Sequence, residues 1–468
     1  MELKINNQIV EAEAGELLLQ VALRNGVDIP HFCYHSCLSI AGNCRICLVK
    51  VEGQPKLAPS CNLIVAEGME VSTDCPEVQE ARRDVMQFIL NDHPVDCGIC
   101  DKAGECRLQE YQVKYGEAEP LSLEDKHPKP KFYDLSPRIQ LDSERCILCS
   151  RCVRFTQEIS GSKQLGIVER GHSARVERMD QKPFDDPYSD NVISLCPVGA
   201  LLSKDFMYQS RVWYLEPVKS VCTGCARACS IQVWRRKQEW RFNSFGDELN
   251  KKVYRITPLE NEAINGPWLC NKGFDMHRTM SRERALTPMV GGVEVSADAM
   301  IKAARKLVSG AQNPAIIISA QASNEELKAA QAALTDKFTV YTRKDYGPSH
   351  GEVLEDDFMI CLDKNPNGDG VYRIFGRNVI DNPLEHDLVV VWGDNLRHED
   401  VAGARLICLG SFASGREKDR EVFVPISTLF ERSGTFTNFE GVDNRFEQVF
   451  EKPSSVLHAA DFFRRLSE

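Results

Sequence analysis

Fifteen of the nineteen cysteines, joined by one histidine, fall into four groups of four, each spaced as iron–sulfur ligands are spaced. Only Cys37, Cys75, Cys361 and Cys408 stand outside those groups. Thiolates in such numbers hold metal, and a row of clusters in one chain conducts electrons. The protein's part in that chemistry is to set spacing, burial and hydrogen bonding around each cluster.

The first group is Cys33, Cys44, Cys47 and Cys61. Three thiolates crowded on one loop and a fourth from a later segment suit a [2Fe–2S] rhomb, with a structural zinc site as the alternative. Gly42 lets backbone amides approach the sulfurs, and such hydrogen bonds raise the potential. Cys37 is expected to be a plain buried thiol. The second group is His93-x3-Cys97-x2-Cys100-x5-Cys106. A neutral imidazole in place of a thiolate removes one negative charge and favours reduction; zinc also accepts three thiolates and an imidazole. The third group, Cys146-x2-Cys149-x2-Cys152 closed by Cys196-Pro197, is half of a bacterial ferredoxin pattern and predicts one [4Fe–4S] cluster. Arg145, Arg151 and Arg154 flank it and are expected to face solvent. The fourth group is Cys222-x2-Cys225-x3-Cys229 with the distant Cys270, read as a [4Fe–4S] site against zinc or a degenerate site.

The elements that position these ligands follow from periodicity and breakers. Two short strands, Leu3–Asn6 and Gln8–Glu11, turn at Asn6-Asn7 and lead to a helix over Leu17–Asn25 ended by Gly26. Residues 78–92 read as an amphipathic helix running into His93. Prolines 120, 128, 130 and 137 mark a linker over 117–137. From residue 285 short apolar strands alternate with helices: Ala315–Ser319, helix Asn324–Leu334, Thr339–Thr342, Leu388–Trp392 and Leu406–Leu409. That rhythm implies an α/β layer with a parallel sheet.

A chain of 468 residues has room for two to four domains, and 43% hydrophobic with 27% charged residues is ordinary for a soluble protein. A net charge of −11 argues against a nucleic-acid partner. No stretch is apolar enough to span a bilayer, and Met1–Val10 has neither a secretory nor an organellar leader pattern. The cysteines are therefore expected in a reducing compartment, where ligation outranks disulfides.

With its four motifs in this order, the chain closely resembles the family of large iron–sulfur subunits of respiratory complex I, the G subunits of NADH:quinone oxidoreductase. The resemblance implies a multidomain α+β and α/β chain. It would comprise a β-grasp [2Fe–2S] ferredoxin domain (1–78), a one-His/three-Cys [4Fe–4S] domain (79–118) and a [4Fe–4S] ferredoxin-like domain (138–210). A molybdopterin-oxidoreductase-type [4Fe–4S] domain (215–275) and a truncated α/β domain without molybdenum (285–468) would follow. Arg255-x2-Pro258-x2-Asn261-x3-Asn265, Trp268-Leu269-Cys270-Asn271-Lys272-Gly273 and Phe430–Gly441 are also typical of the molybdopterin-oxidoreductase superfamily. The family implies one [2Fe–2S] and three [4Fe–4S] clusters on the ligands above. The gap from Cys229 to Cys270 is longer than usual, and the last domain much shorter.

No G-x-G-x-x-G after a strand and no P-loop is found. On the resemblance, a flavin subunit would oxidise NADH. Single electrons would then pass, with a small [2Fe–2S] subunit nearby, through the [2Fe–2S], His-ligated and ferredoxin-like sites. A two-cluster subunit and the quinone-site subunits would receive them, and the whole complex would couple the transfer to proton translocation. The fourth site would lie off that path. The expected location is the peripheral arm on the cytoplasmic side of a bacterial inner membrane, with membrane contact only through partners. The alternatives are the diaphorase-side subunit of a soluble NAD-linked hydrogenase or formate dehydrogenase, and a redox-silent zinc scaffold. Asp363-x-Asn365-x-Asn367-Gly368 begins like a calcium loop, but Ile374 stands where the bidentate Glu belongs, so a polar turn is expected.

Overall fold

The computed structural model describes residues 1–117, 125–180, 182–241, 246–334, 336–342, 355–380, 384–393, 401 and 403–468. Pro120, in the expected linker, lies outside the described residues. The chain divides into two compact units, Met1–Trp213 and Tyr214–Glu468.

In the first unit, Glu2–Ile5 and Gln8–Glu11 pair antiparallel, one residue from the expected start. Asn6 and Asn7 both take positive φ at the turn between them, a conformation asparagine tolerates best after glycine. Strands Glu70–Ser72, Leu48–Val51 and Ala58–Pro59 extend the sheet to five, with Glu70–Ser72 running parallel to the first strand. Period-two alternation sends Leu3, Ile5, Val49, Val51 and Val71 to one core, which helix Leu18–Arg24 covers with Leu18, Leu19, Val21 and Ala22. Helix Pro76–Asp92 opens on a proline at its first position and ends at His93, and helix Arg107–Tyr115 packs against it. The rest of the unit holds a small sheet of Leu201–Ser203, Ile139–Leu141 and Tyr133–Asp134, and a hairpin of Leu165–Val168 with Arg175–Arg178 against which helix Arg151–Glu158 packs.

The second unit begins with an antiparallel meander, Leu215–Val221, Ser230–Arg236 and Arg255–Pro258. A seven-stranded sheet follows, in which Pro314–Ile318, Thr339–Thr342, Leu388–Trp392, Arg405–Gly410 and Val422–Pro425 run parallel. The edge pair Met289–Val290 and Val293–Glu294 is antiparallel. Both faces are covered, as a parallel sheet requires. Ile316, Ile318, Val390, Trp392, Ile407 and Leu409 meet helix residues Met300, Leu327, Ala330, Phe462 and Phe463. The alternate residues Ala315, Ile317, Val389, Val391 and Cys408 meet Ile380, Leu384 and Val401. Cys408 is thus a core thiol. The calcium-like run is a turn: Asn365 donates its backbone and side-chain N–H to Asp363 at 2.9 and 2.7 Å, and helix Gly368–Phe375 starts there.

Candidate iron–sulfur sites

The first group closes because Leu48 pairs with Pro59, carrying Cys47 to the turn that holds Cys61. Ser60 fastens that join, donating its backbone N–H and hydroxyl to the Cys47 carbonyl at 3.1 and 2.8 Å. Cys33 hydrogen-bonds both Cys44 and Cys61, and Cys47 hydrogen-bonds Cys61, so the four sulfurs share one site. The amides of Asn43 and Cys44 point at the Cys33 sulfur, which Gly42, at φ +63°, permits. The hydrogen bonds from Cys44 and Cys61 hold the Cys33 thiol far below its ordinary value, and Cys61 holds Cys47 at about 7. Cys44 and Cys61 are pushed up as the donors of those bonds. Cys37 is exposed, not buried as expected: its backbone N–H donates to the His35 ring nitrogen at 3.2 Å.

In the second group, His93 ends its helix, Cys97 and Cys100 share a tight turn, and Cys106 caps helix Arg107–Tyr115. The amides of Gln109 and Leu108 face the Cys106 sulfur at the positive end of that helix. Burial lowers His93 to about 4, leaving a neutral imidazole, the form that ligates. Burial also raises Cys106 to about 11. His93, Cys97 and Cys106 line one opening, with Cys100 against Cys97 and Cys106.

Cys146, Cys149, Cys152 and Cys196 of the third group line a single cavity walled by Leu141, Ile147, Val176, Val198 and Leu201. Burial pushes Cys146 up to about 12, Cys149 to about 11 and Cys152 well above its usual value.

The long gap of the fourth group closes through the asparagines of the superfamily-like segment. Asn265 accepts the Ser230 N–H at 2.8 Å, next to Cys229, and donates to the carbonyls of Leu259, Gly266 and Trp268, just before Cys270. Asn261 donates to the Ser230 hydroxyl at 3.0 Å. The four thiols then share one site, where burial raises Cys222, Cys229 and Cys270 and a hydrogen bond from Cys361 lowers Cys225 to about 6. The second superfamily-like segment meets this loop, with Phe439 N–H donating to the Ala226 carbonyl at 3.1 Å, and just beyond the segment Asn444 donates to the Ala228 carbonyl at 2.9 Å.

These donor sets fit iron–sulfur clusters. Cysteine thiols walled in by apolar side chains cannot ionise cheaply, whereas bound iron takes them as thiolates and offsets their charge. His93 Nδ1 is buried without a hydrogen-bond partner among the described residues, leaving a lone pair for a metal. Gly199, three residues after Cys196, leaves room for the Cys100 sulfur, which a Cβ there would meet at 2.2 Å. Backbone amides reach the sulfurs of Cys146 (from Leu148, 3.4 Å) and Cys222 (from Gly224, 3.4 Å).

The three arginines expected at the surface are instead buried, with 2% of Arg145, 5% of Arg151 and 7% of Arg154 exposed. Arg154 donates to the carbonyl of Cys33 at 2.5 Å, to that of Cys149 at 3.2 Å and to that of Ser39, joining the first and third groups through one guanidinium. Arg151 donates to the carbonyls of Tyr34 and Leu195. Arg145 pairs with Asp96 at 2.6 Å and Asp142 at 3.3 Å, beside Cys100, and so joins the third group to the second. A planar fork that bonds several carbonyls stays buried where a solvated charge could not. Spacing alone carries no sign of these partners, which lie up to 121 residues away.

Comparison with known proteins finds four iron–sulfur family regions along the chain. Residues 1–76 match the 2Fe-2S iron-sulfur cluster binding domain, and 82–120 the NADH-ubiquinone oxidoreductase-G iron-sulfur binding region. Residues 136–202 match the ferredoxin-like domain of NADH-quinone oxidoreductase subunit 3, and 215–282 the molybdopterin oxidoreductase Fe4S4 domain. The G subunit of NADH-quinone oxidoreductase from Rickettsia conorii is 37% identical over 62% of this chain and 41% of its own. The NADH-ubiquinone oxidoreductase 75 kDa subunit of Reclinomonas americana is 37% identical over 60% of this chain and 39% of its own. A crystal structure of a NAD+-reducing [NiFe]-hydrogenase covers 45% of this chain and 90% of its own, at 26% identity and a TM-score of 0.42. The chain spans about two fifths of the length of the curated relatives it matches. Through its iron–sulfur region the chain resembles the G subunits of NADH-quinone oxidoreductase and their 75 kDa counterparts.

Proposed function

We propose that this chain is an electron-relay subunit of NADH:quinone oxidoreductase. It would hold a [2Fe–2S] cluster on Cys33, Cys44, Cys47 and Cys61. Three [4Fe–4S] clusters would sit on His93, Cys97, Cys100 and Cys106, on Cys146, Cys149, Cys152 and Cys196, and on Cys222, Cys225, Cys229 and Cys270. The clusters supply one-electron redox chemistry; the chain supplies distance, burial and amide hydrogen bonds. On this reading the five-stranded sheet with its helix is a β-grasp domain ending near residue 78. The one-His/three-Cys domain then runs over 79–118, the ferredoxin-like domain over 138–210 and the fourth cluster domain over 215–275, and 285–468 is a scaffold without molybdenum.

The observation that carries the reading is the third cage, whose four thiols line one cavity and whose neighbours reach both other groups of its unit. One guanidinium separates its Cys149 from Cys33, and its Gly199 lies against Cys100. We therefore place it between the first and second sites, so that electrons run from first to third to second rather than in chain order. Around the second site Phe88, Val95, Ile99 and Val113 are 81, 77, 61 and 87% exposed, an apolar rim suited to an accepting subunit. The donor would be an NADH-oxidising flavin subunit with a small [2Fe–2S] partner, and the acceptor a two-cluster subunit leading to the quinone site. No helix among the described residues is long and apolar enough to cross a membrane. Membrane contact would be through partners, on the cytoplasmic side. The curated relatives' names favour this reading over a hydrogenase or formate dehydrogenase subunit.

Anaerobic affinity isolation after mild detergent extraction, with mass spectrometry of the co-purifying chains, tests it. Membrane subunits with a flavoprotein are expected. A soluble assembly carrying nickel–iron or molybdenum contradicts it.

A further inference from the structure

Cys361 lies outside every ligand group, yet the fold of the second unit brings it to the fourth. It hydrogen-bonds the Cys225 sulfur twice, through its backbone N–H and through its thiol. The approach is held from both sides. The Ala226 N–H donates to the Asp363 carbonyl at 2.8 Å, two residues after Cys361. Arg227 donates through Nε to the Met359 carbonyl at 2.8 Å, two residues before it, while its Nη1 reaches the Ile264 carbonyl at 3.2 Å. The ligand loop 225–227 and the segment 359–363 are thus laced together around one sulfur–sulfur contact. The Cys361 sulfur also lies 3.8 Å from the Met359 carbonyl.

Each hydrogen bond to a ligand sulfur stabilises the more negative, reduced state of a cluster and so raises its potential. A ligand that accepts an extra thiol and an extra amide is a place where one side chain can set that potential. Resting on the reading of the fourth group as a [4Fe–4S] site, we propose that Cys361 is a positioning residue of that site, donating to the Cys225 thiolate and raising the cluster's potential without ligating iron.

The test uses the full chain in its native assembly. The electron paramagnetic resonance signal that disappears in Cys229→Ala identifies the fourth cluster, and its midpoint is then followed by redox titration in two further variants. Cys361→Ala is expected to keep the signal and shift the midpoint downward. Cys361→Ser, whose hydroxyl still donates, is expected to restore most of that shift. A midpoint unmoved in both variants overturns the inference while leaving the cluster in place. Loss of the signal in both Cys361→Ala and Cys361→Ser, with Cys225→Ala retaining it, overturns it by making Cys361 the ligand. If no signal depends on Cys229, the cluster reading falls and this inference with it.

Discussion

Around the three sites of the first unit, buried charge is threaded between loops: Arg145, Arg151 and Arg154 spend their N–H groups on carboxylates and on carbonyls beside the ligands. The parallel sheet of the second unit buries hydrocarbon on both faces and needs no ion to close it. The difference teaches where metal matters to the fold. A cage of thiols whose protons burial makes hard to lose is a poor core by itself, and the arginine forks have fixed targets only while the ligand loops hold their shape. The sheet draws on burial of apolar area, which is indifferent to iron.

The comparison can be broken most forcefully by stripping iron with a chelator under reducing conditions. Amides around Ile139–Leu141 and Arg151–Glu158 are expected to lose hydrogen-exchange protection, while those of Pro314–Ile318, Leu388–Trp392 and Arg405–Gly410 keep theirs. Equal loss in both units would remove the distinction. Next in size is Gly199→Ala, whose added methyl cannot coexist with the Cys100 sulfur. Its expected outcome is loss of the second-site spectrum with the first-site spectrum kept. Arg154→Ala leaves carbonyls of the first and third loops unpaired, at about 3 kcal/mol, from a denaturant midpoint, and Arg154→Lys does not recover it because the fork is gone. The smallest effect belongs to the sheet. Ile316→Val is expected to cost about 1 kcal/mol and to leave every cluster spectrum untouched.

Much of this was legible beforehand. The four ligand groups stand in the spacing, and the strands Thr339–Thr342 and Leu388–Trp392 stand in the apolar rhythm, because both depend on near neighbours in the chain. The buried arginines and Cys361 were not. Arg154 meets Ser39 and Cys33 across 115 and 121 residues, and Cys361 meets Cys225 only because the chain returns from the sheet to lace two loops. An arginine beside a cysteine reads as a surface charge until its carbonyl partners are known. The exposed Cys37 failed in the opposite sense, since the general burial of free cysteine gave way to a local turn capped by His35. The relay order proposed above was hidden for the same reason, since it rests on contacts between distant loops.

The central claim is that the first unit carries the electron path and the fourth site does not. NADH-driven quinone reduction by the assembled complex, measured side by side in Cys149→Ala and Cys229→Ala, tests it most directly. The account predicts that Cys149→Ala abolishes the activity and that Cys229→Ala leaves it near the unmodified rate. Activity surviving in Cys149→Ala, or lost in Cys229→Ala with the complex intact, would contradict it.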